Sequence, residues 1–146
     1  MSRRSSRPRR APAAPPVLTA GSPCPCGLPA AYGACCGRFH TGGAEAPTAE
    51  LLMRSRYSAF AAHDPAYLLR TWHPATRPPE LELDPATRWS GLEITGTTEG
   101  SPFHSTGTVT FRARYRQHGQ RGALHERSAF ERVRGLWVYV DGVFLE

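Results

Sequence analysis

All four cysteines of the chain fall in one uncharged stretch, "CPCGLPAAYGACCG", from Cys24 to Gly37. Their spacing is C-x-C-x8-C-C. A stretch this short cannot build a hydrophobic core of its own, so the state of its thiols decides how it folds. Disulfides are one chemistry. Cys35 and Cys36 are adjacent, and Cα atoms across one trans peptide are about 3.8 Å apart, below the usual disulfide range of about 4.4–6.8 Å. Cross-pairing to Cys24 and Cys26 asks for an oxidising compartment, and no export signal points to one. Thiol exchange, as in a redox sensor, is a second chemistry. The third is a metal. Two close pairs, Cys24 with Cys26 and Cys35 with Cys36, converging from one loop match a four-thiolate zinc site. Gly27 and Gly37 permit the tight backbone, and Pro23, Pro25 and Pro29 stiffen it. Protein would fill all four ligand positions, so such a site is structural. Metal binding would then supply the folding free energy of the unit.

The rest of the chain has room for one compact domain. It has 146 residues, of which 40% are hydrophobic, a length and composition ordinary for a single globular unit. No apolar run approaches the roughly 18–20 residues that span a bilayer, so a soluble, cytoplasmic protein is expected, without membrane contact. The net charge of +6 is concentrated at the start. Arg3, Arg4, Arg7, Arg9 and Arg10 come before any acid, whereas from Pro23 onward thirteen arginines face twelve acids. The opening "MSRRSSRPRRAPAAPPVLTAGS" has no periodic apolar face and is expected to be disordered. Its prolines break the apolar stretch that a secretion signal needs. It reads as a solubilising tail, with contact to RNA or the ribosome as the electrostatic alternative and organelle targeting as a third.

The hydrophobic period then changes along the chain. "TGGAEAP" reads as a hinge. "PTAELLMRSRYSAFAAHD" has a broad apolar helical face, with Thr48 as N-cap and Glu50 in the first turn. Asp64 caps a second helix, "DPAYLLRTW", with Pro65 at its first position. The helix stops before the prolines of "HPATRPP", and "ELELDPATRW" has room for a short helical turn. From Trp89 the pattern is β-rich. Val109, Phe111, Ala113 and Tyr115 alternate with Thr110, Arg112, Arg114 and Arg116. "GQRG" at 119–122 reads as a turn, "ALHERSAFERV" as the return strand, Arg134-Gly135 as a second turn and "LWVYVDGVFLE" as the last strand. Helices first and an antiparallel sheet later is the α+β pattern.

The cysteine loop resembles the SEC-C zinc motif, found at the end of the bacterial translocation ATPase SecA and in many small proteins. Cys24, Cys26, Cys35 and Cys36 fall on its four ligand positions, and Gly27, Tyr32 and Gly37 also match. The loop differs in having Leu28-Pro29 where the motif usually has Ser-Gly. It also lacks the lysines with which SecA-type motifs contact a partner, and has only Arg38 just outside. "APTAELLMRSRYSAF", "YLLRTWHPATRP" and "HERSAFERV…WVYVDG" are similar to the YchJ family of bacterial proteins. The resemblance implies a cone-shaped nuclear transport factor 2-like (cystatin-like) domain, with a curved antiparallel sheet over helices and a small zinc-binding loop in front. It divides the chain into a basic tail (1–21), a SEC-C-like motif (22–41) and the cone domain (44–146). The family's biochemical role is not established.

Relatives with this fold often enclose a pocket between helices and sheet, and several polar residues are candidates to line one. Arg54 and Tyr57 share a helix side, and Arg54 is expected at the cone mouth, as an anion binder or a surface pair. Trp72 and His73 end the second helix; His73 is either a general base or a helix cap. Strand alternation puts Glu126, Ser128 and Phe130 on one face. An inward Glu126 needs a partner, for which Arg54 or Tyr57 is expected, unless a bulge turns His125 inward instead. These residues form the expected ligand pocket, and the enzyme reading (isomerase, dehydratase or hydrolase) would use Glu126, His73 and Tyr57 for proton transfer. The row of Arg112, Arg114 and Arg116 reads as a solvated face or a homodimer surface, with acids such as Glu131 to neutralise it. The favoured expectation is a binding module: a zinc loop that docks a protein partner, carried on the cone.

Overall fold

The computed structural model describes residues 17–146. The arginines at positions 3–10, on which the expectations of disorder and RNA contact rest, lie outside that range. A 3-10 turn at Tyr32–Ala34 leads into α1 (Cys36–His40), followed by α2 (Ala49–Ala61), α3 (Pro65–Arg70) and four strands. These are β1 (Thr87–Glu99), β2 (Thr106–Gln117), β3 (Gln120–Val133) and β4 (Leu136–Phe144). They pair antiparallel in the order β1-β2-β3-β4, a simple meander.

Local chemistry sets the helix starts. The Thr48 hydroxyl accepts from the Leu51 amide at 3.1 Å, and the Asp64 carboxylate accepts from the Tyr67 amide at 3.1 Å. Each satisfies a backbone donor that the first helical turn leaves free. "ELELDPATRW" forms no helix; Pro85 and Ala86 make a turn directly before β1.

The hairpins are tight. Arg134 and Gly135, with φ of 54° and 82°, join β3 to β4. His118 and Gly119, with φ of 51° and 78°, join β2 to β3. Left-handed conformation at both central residues matches the right-handed twist of the flanking strands. The β2–β3 turn lies two residues earlier than the expected 119–122, because Gln117 pairs with Gln120 and Gly122 is already inside β3. Gly122 lies beneath the Tyr115 ring, which occupies the space a side chain would need.

One sheet face packs on α2. Leu52, Met53 and Tyr57 meet Val109, Phe111, Phe130 and Trp137 in a single buried cluster. Full burial of each such side chain contributes about 1.5–3 kcal/mol. A second cluster, Phe39, Ala59, Tyr67 and Leu68, joins the three helices. Chain following α3 bridges the free edge of β4 at Tyr139: His73 donates its amide to the Tyr139 carbonyl at 2.7 Å, and Tyr139 donates to Thr71 at 2.8 Å. Pairing of this kind removes an exposed strand edge. Among the described residues, no helix is long and apolar enough to cross a membrane.

Candidate metal centre and polar interior

The cysteine loop is folded against α2. Its backbone closes through hydrogen bonds from Tyr32 N to Ser22 O (2.7 Å), Gly33 N to Ala20 O (2.9 Å) and Cys24 N to Ala30 O (3.1 Å). Gly27 sits at φ 89°, where a side chain would be strained. A Cβ on Gly37 would lie 2.7 Å from the Tyr32 carbonyl oxygen, so glycine is required there by close approach. The result brings one ligand atom from each of Cys24, Cys26, Cys35 and Cys36 within 4.8 Å of the others, all four buried and none in a disulfide.

Cys24 is held far below the ordinary thiol value, because the Cys26 and Cys36 thiols donate to its thiolate. Cys35 is pushed up to about 11, first by burial and then by the neighbouring sulfurs. Cys36 is raised chiefly because its proton is held on Cys24. One negative charge is thus stabilised and further ones are opposed. A bound metal cation would let all four thiols ionise together. The donor set can hold a metal ion, and four thiolates would complete a four-coordinate shell.

Three contacts tie this loop to α2. Arg54 donates to the Cys26 carbonyl at 2.8 Å while pairing with Glu50 at 3.1 Å. The Cys24 sulfur lies 3.7 Å from the Ser58 hydroxyl. His40 bridges the two, with Nε2 2.8 Å from the Ser55 carbonyl and Nδ1 2.5 Å from the Tyr32 hydroxyl. Burial lowers the His40 pKa, so the neutral ring donates from Nε2 to Ser55 and accepts from Tyr32 at Nδ1. The Tyr67 hydroxyl completes the contact at 2.7 Å from Ser55 Oγ. Sequence reasoning missed His40, Ser55 and Ser58. The available signal was two small polar residues on an otherwise apolar helix face.

Arg54 therefore braces the thiol loop and is not the partner of Glu126. The buried guanidinium under the sheet is Arg56, only 4% exposed. It donates to the Leu68 carbonyl and the Thr71 hydroxyl, both at 2.7 Å. Its carbon lies 4.6 Å from the Tyr139 ring centre and 5.2 Å from that of Trp72. Burial lowers its pKa to about 10, so it stays charged at neutral pH. Glu126 points inward, paired with Phe111 across the sheet. Burial raises its pKa, and the Arg56 charge partly opposes the rise. The bulge in the β3–β4 pairing falls after Ala129, leaving Glu126 and Ser128 inside.

The remaining pocket candidates are separated. Tyr57 packs edge-on to Trp89, its pKa raised to about 12 by burial. His73 pairs with Glu131 at 3.3 Å and accepts from the Ala75 amide, so it caps a turn at the rim. Trp72 packs on Tyr139, with its indole nitrogen buried and unpartnered. The four surface cavities described, about 190–460 Å³ each, are lined by other residues. Glu126, His73 and Tyr57 are not brought together.

A small thiol knuckle braced on the first long helix of a helix-and-meander domain defines a SEC-C protein with a nuclear transport factor 2-like domain. The chain belongs to the YchJ family: residues 48–142 match the model of the YchJ middle NTF2-like domain. A UPF0225 protein of Streptomyces avermitilis is 64% identical over 97% of this chain and 98% of its own length. One from Streptomyces coelicolor is 66% identical over 85% of this chain and 97% of its own. The solution structure of a SEC-C motif containing protein from Rhodopseudomonas palustris superposes with a TM-score of 0.75 at 34% identity, covering 84% of this chain and 98% of that one. The crystal structure of a SEC-C motif containing protein from Psychrobacter arcticus gives 0.71 at 28% identity, covering 87% of this chain and 85% of that one.

Proposed function

We propose that this protein is a cytoplasmic interaction module in which a structural zinc ion, held by Cys24, Cys26, Cys35 and Cys36, locks the knuckle onto α2 and presents it to a protein partner. The observation that supports this is the closed, buried set of four thiols, all within 4.8 Å of one another and braced on α2. A four-thiolate shell has no open position for substrate or water, so the ion would act by holding structure. Pro29, Ala31 and Ala34 are exposed on the loop, which supports this reading of an accessible contact surface. The reducing cytoplasm keeps such thiols available for metal. The dispersal of Glu126, His73 and Tyr57 favours binding over proton-transfer catalysis.

Metal analysis of protein purified without chelator tests the reading. The expected result is about one zinc per chain in the wild type, from the four-ligand stoichiometry of structural sites, and loss of it in Cys35→Ser. Metal-free protein with four freely reactive thiols would contradict it.

A further inference from the structure

The sheet face turned away from the helices carries an unneutralised array of arginines. On β2 the residues alternating with buried Val109, Phe111 and Ala113 are Arg112, Arg114 and Arg116. Strand register extends the array sideways. Arg116 is directly opposite Arg88 on β1 and Arg121 on β3, so three guanidiniums occupy one row across three strands. Arg127 stands further along β3, opposite Thr110. The acids on this face are Glu93, opposite Arg112, Glu131, opposite Thr106, and Asp141 on β4. Glu131, expected from the sequence as a counter-charge, pairs with His73 instead. Among the described residues, no carboxylate lies within 4.0 Å of any of these six guanidiniums.

Like charges directly opposite each other across an antiparallel pair are destabilising. The row therefore costs the free protein stability, and a polyanion would relieve that cost. We propose that this face binds the phosphate backbone of double-stranded RNA. Rows about 6.8 Å apart along the strands, on strands about 4.8 Å apart, form a cation lattice suited to the repeating charge of a nucleic-acid backbone. Guanidiniums engage phosphate oxygens through forked hydrogen bonds. No Phe, Tyr or Trp ring stands among the arginines, so the face lacks the stacking platform that single-stranded binding uses. A broad sheet suits the wide, shallow minor groove of an A-form duplex, whereas B-DNA is read by an element inserted into its major groove. The proposal does not depend on the zinc site.

Fluorescence anisotropy of a labelled RNA duplex of about 16 base pairs, a length one double-stranded RNA-binding domain covers, titrated with the full chain tests this. Binding should weaken steeply with salt. Arg116→Glu should lower affinity about tenfold and flatten the salt dependence by about one to two phosphate equivalents. Arg134→Glu makes the same charge change at the far end of β3 and should leave binding within about twofold. The basic tail is present in every variant, so its contribution cancels. Arg116→Gln should retain the fold and show an intermediate loss, which keeps the test decisive if the reversal misfolds. Equal effects of Arg116→Glu and Arg134→Glu would overturn the proposal. So would tighter binding to single strands, B-DNA or anionic vesicles, or a homodimer that buries this face.

Discussion

Within the thiol loop, four ionisable groups of one kind lie within 4.8 Å of one another. Under the sheet, single groups of opposite sign, Arg56 and Glu126, sit among aromatic rings and backbone carbonyls. In the first set, ionising one thiol makes the next harder to ionise, and a bound cation would let the whole group ionise. In the second set Arg56 is held by its own chain, through the Leu68 carbonyl and the Thr71 hydroxyl. Two ways of burying polar chemistry thus stand on opposite sides of α2. They should fail under different insults.

Removing the metal or a ligand should have the largest effect. Structural zinc binding in small finger peptides is worth on the order of 10 kcal/mol. Cys35→Ser should abolish metal uptake and release the knuckle, seen as free thiol reactivity and lost amide protection over residues 22–40, with the sheet intact.

Next comes Arg56→Ala. It removes two charge-assisted hydrogen bonds and leaves the Leu68 carbonyl with only the Thr71 hydroxyl, at 3.4 Å. The expected loss is about 3 kcal/mol in denaturant unfolding, with metal content unchanged. An effect near zero would mean that the guanidinium is not held in the interior.

His40→Ala should cost less, about 1–2 kcal/mol. Its damage belongs to the junction between the two regions, so knuckle protection should fall further than sheet protection. Equal loss in both would show that loop and domain unfold as one unit.

The smallest effect concerns pH. The Glu126 carboxyl is raised in the folded state by burial, so the folded protein binds its proton more tightly than the unfolded chain. Its unfavourable contribution is absent below the ordinary glutamate value near 4.3. It grows as pH rises from there through the raised folded value. Glu126→Gln should match the wild type near pH 4 and unfold at slightly higher temperature near pH 7. A mutant destabilised at pH 7 would mean that the ionised carboxylate has a stabilising partner.

Local signals were legible in the sequence. Thr48, Asp64-Pro65 and Arg134-Gly135 each carry a boundary in their own chemistry, and the alternation from Val109 to Tyr115 assigned both faces of β2. The thiol cluster was legible because spacing alone confines four cysteines. What failed was non-local. Arg54 and Arg56 both lie on an apolar helix two residues apart, and nothing local tells which faces the knuckle and which the sheet. The turn at His118-Gly119 depends on the pairing of Tyr115 with Gly122, a tertiary register. The docking of His40 on Ser55 joins segments that share no pattern.

The most direct measurement is hydrogen exchange of the full chain before and after metal removal. The expected result is that residues 22–40 and the α2 amides beside Ser55 and Ser58 lose protection while the centres of β2 and β3 keep theirs. Unchanged protection in the knuckle, or a uniform loss throughout the sheet, would contradict the division between a metal-held loop and a self-sufficient interior.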